Sequence, residues 1–468
     1  MSVFILMVVV FVLGYLAIAL EHPIRVDKAA SALLIAVLGW VLFVIGGDTI
    51  VDTASTAYQN FIGLERNPDH HGPAYFIAHE LRHHLGEISE IIFFLLGAMT
   101  IVELIDEHEG FSVITDRIKT TNKVKLIWII CILTFFFSAL LDNLTTSIVM
   151  ISLLRRLIAD QKTRWFFAGL VVIAANAGGA WSPIGDVTTT MLWIQGQISA
   201  PTIIYALFLP SLACLILPLL WLTFRLNGEV QRPNRPAAAE LDFHTIPSSE
   251  RNLIFTLGIS LLLFVPVFKE TTHLPPYMGM LLGLGILWVT TEILHRNKPT
   301  SVRARLTVVG VLKKVDISSV LFFLGILVAI ASLQSAGHLN LLAASLKDIF
   351  NGNVYAIDLS IGLLSSIVDN VPLVAGAQGM YQVVLPAELA EMGNSALGWS
   401  EHFVKDGRFW EFLAYCAGTG GSALIIGSAA GVAVMGLERI DFIWYIKKIS
   451  LLAILGYFAG AAVYILMN

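Results

Sequence analysis

The stretch SALLDNLTT, residues 138–146, places an Asp-Asn pair inside an otherwise apolar run. A second stretch, SSIVDNVPLV at residues 365–374, repeats the pair at an offset of 227 (369 − 142), close to half the length of the 468-residue chain. Ionisable groups are expensive to bury in apolar surroundings. Their repetition at matching places predicts that Asp142 and Asp369 form one shared cation site.

The composition indicates the environment of these pairs. The chain is 56% hydrophobic and 13% charged, with a mean hydropathy of +0.78. A soluble protein of this size carries about 25% charged residues, and apolar runs of about 20 residues recur along the whole chain. We therefore expect an all-α polytopic membrane protein. Its spans are expected at 3–20, 31–49, 87–105, 165–195, 201–224, 253–269, 276–294, 317–335, 411–436 and 446–466.

Two more apolar segments, about 124–158 and about 355–386, are each interrupted by an Asp-Asn pair, and we interpret both as re-entrant helical hairpins. With that assumption, 23 of the 29 Lys and Arg residues fall on one side of the membrane. The positive-inside rule makes that side cytoplasmic and leaves both termini outside. The six basic residues expected outside are Arg66, Arg82, Lys269, Lys347, Lys405 and Arg408.

The two halves correspond beyond the Asp-Asn pairs. Each pair is followed by a glycine-rich break, and Gly178, Gly179, Gly185 and Asp186 match Gly420, Gly421, Gly427 and Ser428 at an offset of 242 (420 − 178). Five spans plus one hairpin per half is an odd number of crossings, so the second copy would be inverted, as in secondary transporters. The expected divisions are a first repeat over 1–225, a cytoplasmic linker over 226–251 and a second repeat over 252–468.

Broken helices expose backbone groups that are tolerated at membrane depth only when they are buried in protein or line a cavity. Oxygen ligands suit a hard cation, and a buried carboxylate can hold either a proton or a sodium ion. Competition between the two, with alternating access, is sufficient for antiport. The candidate ion-binding residues are Asp142, Asn143, Thr145, Asn176, Asp186, Thr188, Thr189, Asp369, Asn370 and Ser428, with sodium at Asp142 and Asp369. The glycines that we expect to serve backbone geometry and close packing are Gly178, Gly179, Gly420 and Gly421.

At these residues the chain is similar to the NhaD-type sodium/proton antiporters of the ion transporter superfamily. The specific parts of the resemblance are 137–150, 176–190, 365–374 and 418–431. It implies exchange of cytoplasmic sodium, and often lithium, for external protons, and so a role in pH homeostasis. It also implies hairpins that enter from opposite sides, a homodimer and a location in the bacterial inner membrane. No cofactor is implied, and the expected partners are the transported ions and membrane lipid, not nucleic acid.

Two alternatives remain open. The superfamily also contains dicarboxylate, citrate and arsenite transporters, although two acidic hairpin tips would repel a dicarboxylate. The sequence His79-Glu80-Leu81-Arg82-His83 fits the H-E-x-x-H zinc protease motif, with His70, His71 and His84 nearby. We expect this segment to be an external interfacial helix, with pH sensing as another possible role. Glu90 and Glu103, in the third span, are candidates for a proton path, against a purely structural role in helix packing.

Overall fold

The computed structural model describes residues 2–19, 21–65, 71–115, 118–233, 246–391 and 398–468. Most of these residues are helical, and among them one β-bridge joins Asn122 and Glu229. His70, Arg66, Arg117, Arg235 and much of the predicted linker 226–251 lie outside the described residues.

The helices of the first half of the chain are α1 (Val3–Ala19), α2 (Glu21–Ile24), α3 (Lys28–Ile45), α4 (Gly47–Ile50), α5 (Thr56–Leu64), α6 (Pro73–Glu107), α7 (Ser112–Thr115), α8 (Lys123–Leu141), α9 (Asn143–Leu157), α10 (Gln161–Ala180), α11 (Val187–Ile194) and α12 (Ala200–Thr223). Those of the second half are α13 (Ser248–Thr272), α14 (Pro276–His295), α15 (Thr300–Leu306), α16 (Val308–Val311), α17 (Ile317–Ser335), α18 (His338–Ile349), α19 (Val354–Leu364), α20 (Asn370–Met380), α21 (Pro386–Glu391), α22 (Arg408–Gly420), α23 (Ala429–Glu438), α24 (Phe442–Tyr445) and α25 (Leu451–Met467). A π-helical turn, Ile446–Ser450, joins α24 to α25.

In the described part of the chain, eight helical segments are long and apolar enough to cross a membrane. Seven coincide with predicted spans, which confirms the prediction of an all-α, multi-pass membrane protein. The eighth is α8, the first arm of the predicted hairpin 124–158. Its 19 residues are sufficient by themselves for a crossing. The re-entrant character of this hairpin therefore stays a prediction.

The two predicted spans that contain glycine-rich breaks are each divided into two helices. In the first, α10 ends at Ala180 and α11 begins at Val187. In the second, α22 ends at Gly420 and α23 begins at Ala429. The restarts have the same cause, because a side-chain oxygen accepts a hydrogen bond from a backbone N–H in the first turn. Asp186 caps α11 in this way, and Ser428 caps α23.

The chain divides into two compact units. The first consists of Met1–Ile92, Asp316–Asn353 and Val371–Val383. Within it, α3 packs against α1 and α17, and Gly325 of α17 lets that helix approach the backbone of α3 closely.

The second unit consists of Phe93–Val315, Val354–Asn370 and Val384–Asn468. It contains α8–α12, α19 and α22–α25, and helix α10 packs against α8, α9, α12, α22 and α23. The high content of small residues at the end of α10 makes this many-sided contact possible, and its last fourteen residues are buried. Each unit takes segments from both halves of the sequence, and the division into inverted repeats stays a prediction.

Candidate functional site

The first Asp-Asn pair is the joint between α8 and α9, which pack against each other. Asp142 is the single residue between them and has φ +105° and ψ 159°, a backbone conformation that is nearly restricted to glycine. Its carboxylate caps α9, because Oδ1 accepts from Thr145 N (2.7 Å) and Oδ2 accepts from Thr145 Oγ1 (2.8 Å). Both oxygens of Asp142 are thus engaged by the turn that they begin.

The second pair joins α19 to α20, and its surroundings repeat those of the first. Ser138 Oγ donates to the carbonyl of Ala175 (2.6 Å), and Ser365 Oγ donates to the carbonyl of Ala417 (2.9 Å). The serines are related by an offset of 227 (365 − 138) and the alanines by 242 (417 − 175), the same offsets that relate the motifs. The tip of each hairpin is therefore attached to the corresponding broken helix by the same hydrogen bond.

The glycines of the breaks repeat a close approach of backbones. A Cβ at Gly178 would overlap the carbonyl oxygen of Phe135, and a Cβ at Gly420 would overlap that of Gly362. Phe135 and Gly362 are again related by the offset of 227 (362 − 135). Only glycine permits these approaches. Gly179 and Gly421 likewise face the carbonyls of Gly185 and Gly427 across their own breaks.

Asp186 lies at the centre of a buried polar network and is itself 1% exposed. Asn143 Nδ2 donates to its Oδ2 (2.6 Å), and Asn370 Nδ2 approaches Oδ1 and Oδ2 at 3.3 and 3.2 Å. Thr188 donates from its backbone N and from Oγ1 to Oδ1, at 2.9 and 3.0 Å. One carboxylate thus receives an amide from each of the two Asp-Asn motifs.

Asn176, which is fully buried in α10, extends the network to the second break. Its Oδ1 accepts from Asn143 Nδ2 (3.2 Å), while its Nδ2 lies 2.9 Å from Ser422 Oγ and 3.0 Å from Ser428 Oγ. The chain of contacts from Ser428 to Asp186 therefore passes through asparagine amides, each of which offers both a donor and an acceptor.

Four helices begin at this network. Asn143 and Asn370 are the first residues of α9 and α20, and Asp186 and Ser428 cap α11 and α23. The N-terminal end of a helix carries partial positive charge. Negative charge on Asp186 is stabilised by these ends and by the amide donors, and the carboxylate, amide and hydroxyl oxygens provide ligands suited to a small hard cation.

The structure places the predicted site residues in two groups. Asn143, Asn176, Asp186, Thr188, Asn370 and Ser428 form one network. Asp142 and Thr145 form the adjoining cap, and Thr189 Oγ1 donates to the backbone carbonyl of Asp186 (2.9 Å). Asp142 and Asp369 directly precede Asn143 and Asn370, the two asparagines that contact Asp186; sodium binding at those two residues stays a prediction. Sequence reasoning missed Ser422, although its place in the run GTGGS, residues 418–422, was a signal.

The H-E-x-x-H residues lie in the part of α6 that belongs to the first unit. The ring of His79 packs against Phe61, with 5.3 Å between centroids, and His83 Nε2 lies 3.5 Å from Glu87 Oε1. His84 is buried and contacts Ser335 Oγ at 3.1 Å. Within the described ranges, no three His, Cys, Asp or Glu residues are grouped so that they could hold a metal ion. The histidines of the motif therefore contact separate partners.

Glu90 and Glu103 lie on α6 in different units, Glu90 in the first and Glu103 in the second. Glu103 is near Asp106, Glu107 and Lys314 at the C-terminal end of the helix. A role for either residue in a proton path stays a prediction.

Comparison with known proteins identifies the family. The profile of the citrate transporter family, CitMHS, matches residues 15–400. The chain belongs to the citrate transporter family. Membership makes the chain a transporter and not an enzyme, which confirms that prediction.

Individual relatives carry the name of sodium/proton antiporter. Sodium/proton antiporter 2 of Arabidopsis thaliana is 42% identical over 99% of this chain and 99% of that protein. Sodium/proton antiporter 1 of the same plant is 44% identical over 99% of this chain and 72% of its own length. The Na(+)/H(+) antiporter NhaD of Alkalimonas amylolytica is 28% identical over 98% of this chain and 90% of that protein. The resemblance to NhaD-type antiporters is therefore confirmed.

Proposed function

We propose that this protein is a sodium/proton antiporter that exchanges cytoplasmic sodium, and also lithium, for external protons by alternating access. The names of its relatives support sodium and protons as the exchanged ions, and the buried network supports a mechanism for the exchange. The direction of exchange follows from the resemblance to NhaD-type antiporters.

The observation that carries the proposal is the double contact of Asp186 with Asn143 and Asn370. The ionised carboxylate would bind sodium with oxygen ligands from the surrounding asparagines and from Thr188, while a proton would neutralise it. Because protonation removes the negative charge that attracts sodium, the two ions compete for the carboxylate. That competition couples their movements in opposite directions.

The two hairpin tips provide a means of access. A displacement of either tip would withdraw one asparagine from Asp186 and leave the other in place, since Asn143 and Asn370 begin different helices. If the hairpins enter from opposite sides, as the sequence predicts, each displacement opens the carboxylate to one side of the membrane. Asp142 and Asp369, at the same tips, would attract the cation along each route.

The rival function within the family is transport of citrate or another anion. Four helix N-termini converge on the network, and such ends attract anions. Here a carboxylate of the protein itself, Asp186, already occupies that position. An anionic substrate would meet its negative charge, whereas a cation would be attracted to it. The electrostatics therefore favour a cation.

Besides the direction of exchange, two parts of the proposal rest on the resemblance. A homodimer is one of them. The bacterial inner membrane is the other, and the relatives at 44% and 42% identity come from a plant. For the described part of the chain, the crossing helices support a multi-pass membrane protein without indicating which membrane holds it.

The test is proton movement in proteoliposomes that contain the purified protein. Sodium added outside vesicles with an acidic interior is expected to release protons from the wild-type vesicles. Asp186→Asn should abolish this release while the protein still elutes as a folded species in detergent. Asp160→Asn is the matched control, because Asp160 also caps a helix through a hydrogen bond to a threonine (Thr163) but is exposed. It should transport normally.

Two results would contradict the proposal. Sodium-independent uptake of labelled citrate by the wild type, without proton release, would favour the anion transporter. Full antiport activity in Asp186→Asn would exclude Asp186 as the ion-binding carboxylate.

A further inference from the structure

Asp358 is another buried carboxylate of the same unit and is not among the residues that contact Asp186. Asp358 is the one charged residue in the run VYAIDLSIGLL of α19, the first arm of the second hairpin. It is 0% exposed, and neither of its oxygens has a hydrogen-bond partner among the described residues. Native proteins rarely leave a buried carboxylate in this state.

The surroundings of Asp358 are formed by α22 and α25. Gly362, one turn further along α19, lies against Cys416 of α22 and Tyr457 of α25. The ring of Tyr464 of α25 lies 6.5 Å from that of Tyr355, on the same helix as Asp358. Tyr457 OH donates to the carbonyl of Leu359 (3.0 Å). The titratable groups near Asp358 are therefore Cys416 of α22, Tyr457 and Tyr464 of α25, and Tyr355 of its own helix.

Glu411 and Tyr464 form a polar link beside this carboxylate. Tyr464 OH donates to Glu411 Oε2 (2.6 Å), and Glu411 lies in the first turn of α22, itself 7% exposed. Arg408, the first residue of that helix, is exposed. The pair therefore extends from the neighbourhood of Asp358 toward the exposed start of α22.

These surroundings select one charge state. An ionised carboxylate without a hydrogen bond or counter-ion is strongly disfavoured in an apolar environment. This conformation therefore favours the protonated form. Loss of the proton requires a rearrangement that brings water or a polar group to Asp358, and α19 is the arm that leads to Asn370 at the Asp186 network.

The repeat relation makes Asp358 a point of asymmetry. The equivalent position of the first hairpin is 131 (358 − 227), which is Cys131, a buried free cysteine of α8. The two arms make equivalent contacts through Ser138 and Ser365. Only the second arm has a carboxylate at this position, so the two arms differ in chemistry there.

We propose that Asp358 carries a proton during the transport cycle and exchanges it with the Glu411–Tyr464 side when the second hairpin moves. This inference rests on the proposed antiport. In the step, the carboxylate of Asp358 accepts one proton from the aqueous side and becomes neutral, and release of the same proton restores its charge. Asp358 does not bind sodium in this scheme, and Asp186 remains the site at which sodium binds.

The test separates proton coupling from sodium binding. Asp358→Asn replaces the carboxylate by a neutral amide of nearly the same shape. In proteoliposomes it should abolish sodium-driven proton release, while exchange of labelled for unlabelled sodium at equal pH on both sides continues. Asp358→Glu should restore proton release with a shifted pH profile. Asp348→Asn, an exposed aspartate of α18, is the control and should behave as the wild type in both assays.

Two outcomes overturn the inference. One is proton release by Asp358→Asn that equals wild-type release at every pH, with the proton-to-sodium ratio of the wild type. The other is the loss of both activities in a folded Asp358→Asn protein, which would assign Asp358 to sodium binding or to structure. If neither Asp358 variant folds, Tyr464→Phe decides. This variant should keep sodium exchange, and its proton release should fall most where external protons are scarce. Unchanged proton release would contradict proton exchange between Asp358 and the Glu411–Tyr464 pair.

The failure of the inference differs from failure of the proposed function. Absence of sodium/proton exchange in the wild type would reject the proposed function. Normal exchange in the wild type, loss in Asp186→Asn and normal exchange in Asp358→Asn would reject only the role of Asp358.

Discussion

At the scale of single residues, three aspartates of the second unit differ in what their oxygens contact. The oxygens of Asp142 both bind Thr145 in its own helix turn, those of Asp186 bind groups from three helices, and those of Asp358 bind nothing among the described residues. The first arrangement stabilises a turn, the second can exchange partners for an ion, and the third favours a bound proton. Hydrogen-bond partners, more than residue type, separate these roles.

The backbone of Asp142 leads to a stability prediction. Its φ of +105° is costly for any residue except glycine, so Asp142→Gly removes the strain and Asp142→Ala keeps it, while both lose the cap. We expect the glycine variant to be more stable than the alanine variant by about 1–3 kcal/mol, measured as thermal unfolding in detergent.

Asp160 is the control for this comparison, because it caps α10 with an ordinary φ of −69°. There the glycine and alanine variants should differ by at most about 1 kcal/mol. An equal difference at both positions would show that the conformation of Asp142 is not strained.

At the scale of helices, one buried carboxylate joins elements that flank the two breaks. Glu438, the last residue of α23, is paired with Arg155 Nε of α9 and with Arg164 Nε of α10, both at 2.7 Å. Trp165 Nε1 donates to the carbonyl of Glu438 (2.9 Å), and Arg155 also donates to the carbonyl of Leu437. The helix after the second break is thereby attached to the hairpin and the broken helix of the first half.

Loss of this carboxylate should be strongly destabilising. The side chain of Glu438 is 1% exposed, and its replacement by Gln leaves two arginines without a counter-ion. Breaking a buried pair costs about 3–5 kcal/mol, and the half-exposed Arg155 places the expected loss near the lower limit. Thermal unfolding of the purified Glu438→Gln variant measures it.

The control is Glu292→Gln, which removes an exposed pair with Arg303 at 3.3 Å. It should change stability by less than about 1 kcal/mol. Similar stability of the two variants would mean that Glu438 does not hold these helices together.

At the scale of the whole molecule, the distribution of charge predicts orientation. If the two predicted hairpins do not cross the membrane, most basic residues fall in loops on one side, and the positive-inside rule predicts that both termini lie outside. The three cysteines are buried, so introduced cysteines can report the side without strong background labelling.

Cysteines at Ser2 and Asn468, both exposed, should react with a membrane-impermeant thiol reagent in intact cells. A cysteine at Lys313, an exposed residue in a predicted cytoplasmic loop, should react only after the cells are opened. The reverse pattern would overturn the orientation, and labelling of one terminus alone would overturn the odd number of crossings per half.

Much of the helical architecture was predictable, because spans are set by local hydropathy and breaks by local residues. The run AGGAWSPIGD, residues 177–186, contains glycines, a proline and a capping aspartate, and helix α10 ends within it. The same local information leaves the first hairpin undecided, since hydropathy does not reveal whether the 19-residue helix α8 crosses the membrane or turns back within it.

The sequence by itself determined that this protein is a multi-pass helical membrane transporter with two Asp-Asn motifs and two glycine-rich breaks. It also identified the members of the polar network, apart from Ser422. Only the tertiary structure decided which carboxylate lies at the centre. The reason is physical: Asp142 and Asp186 are both apolar-flanked helix caps in sequence, and only packing brings Asn143 and Asn370, one from each half of the chain, to the same carboxylate of Asp186.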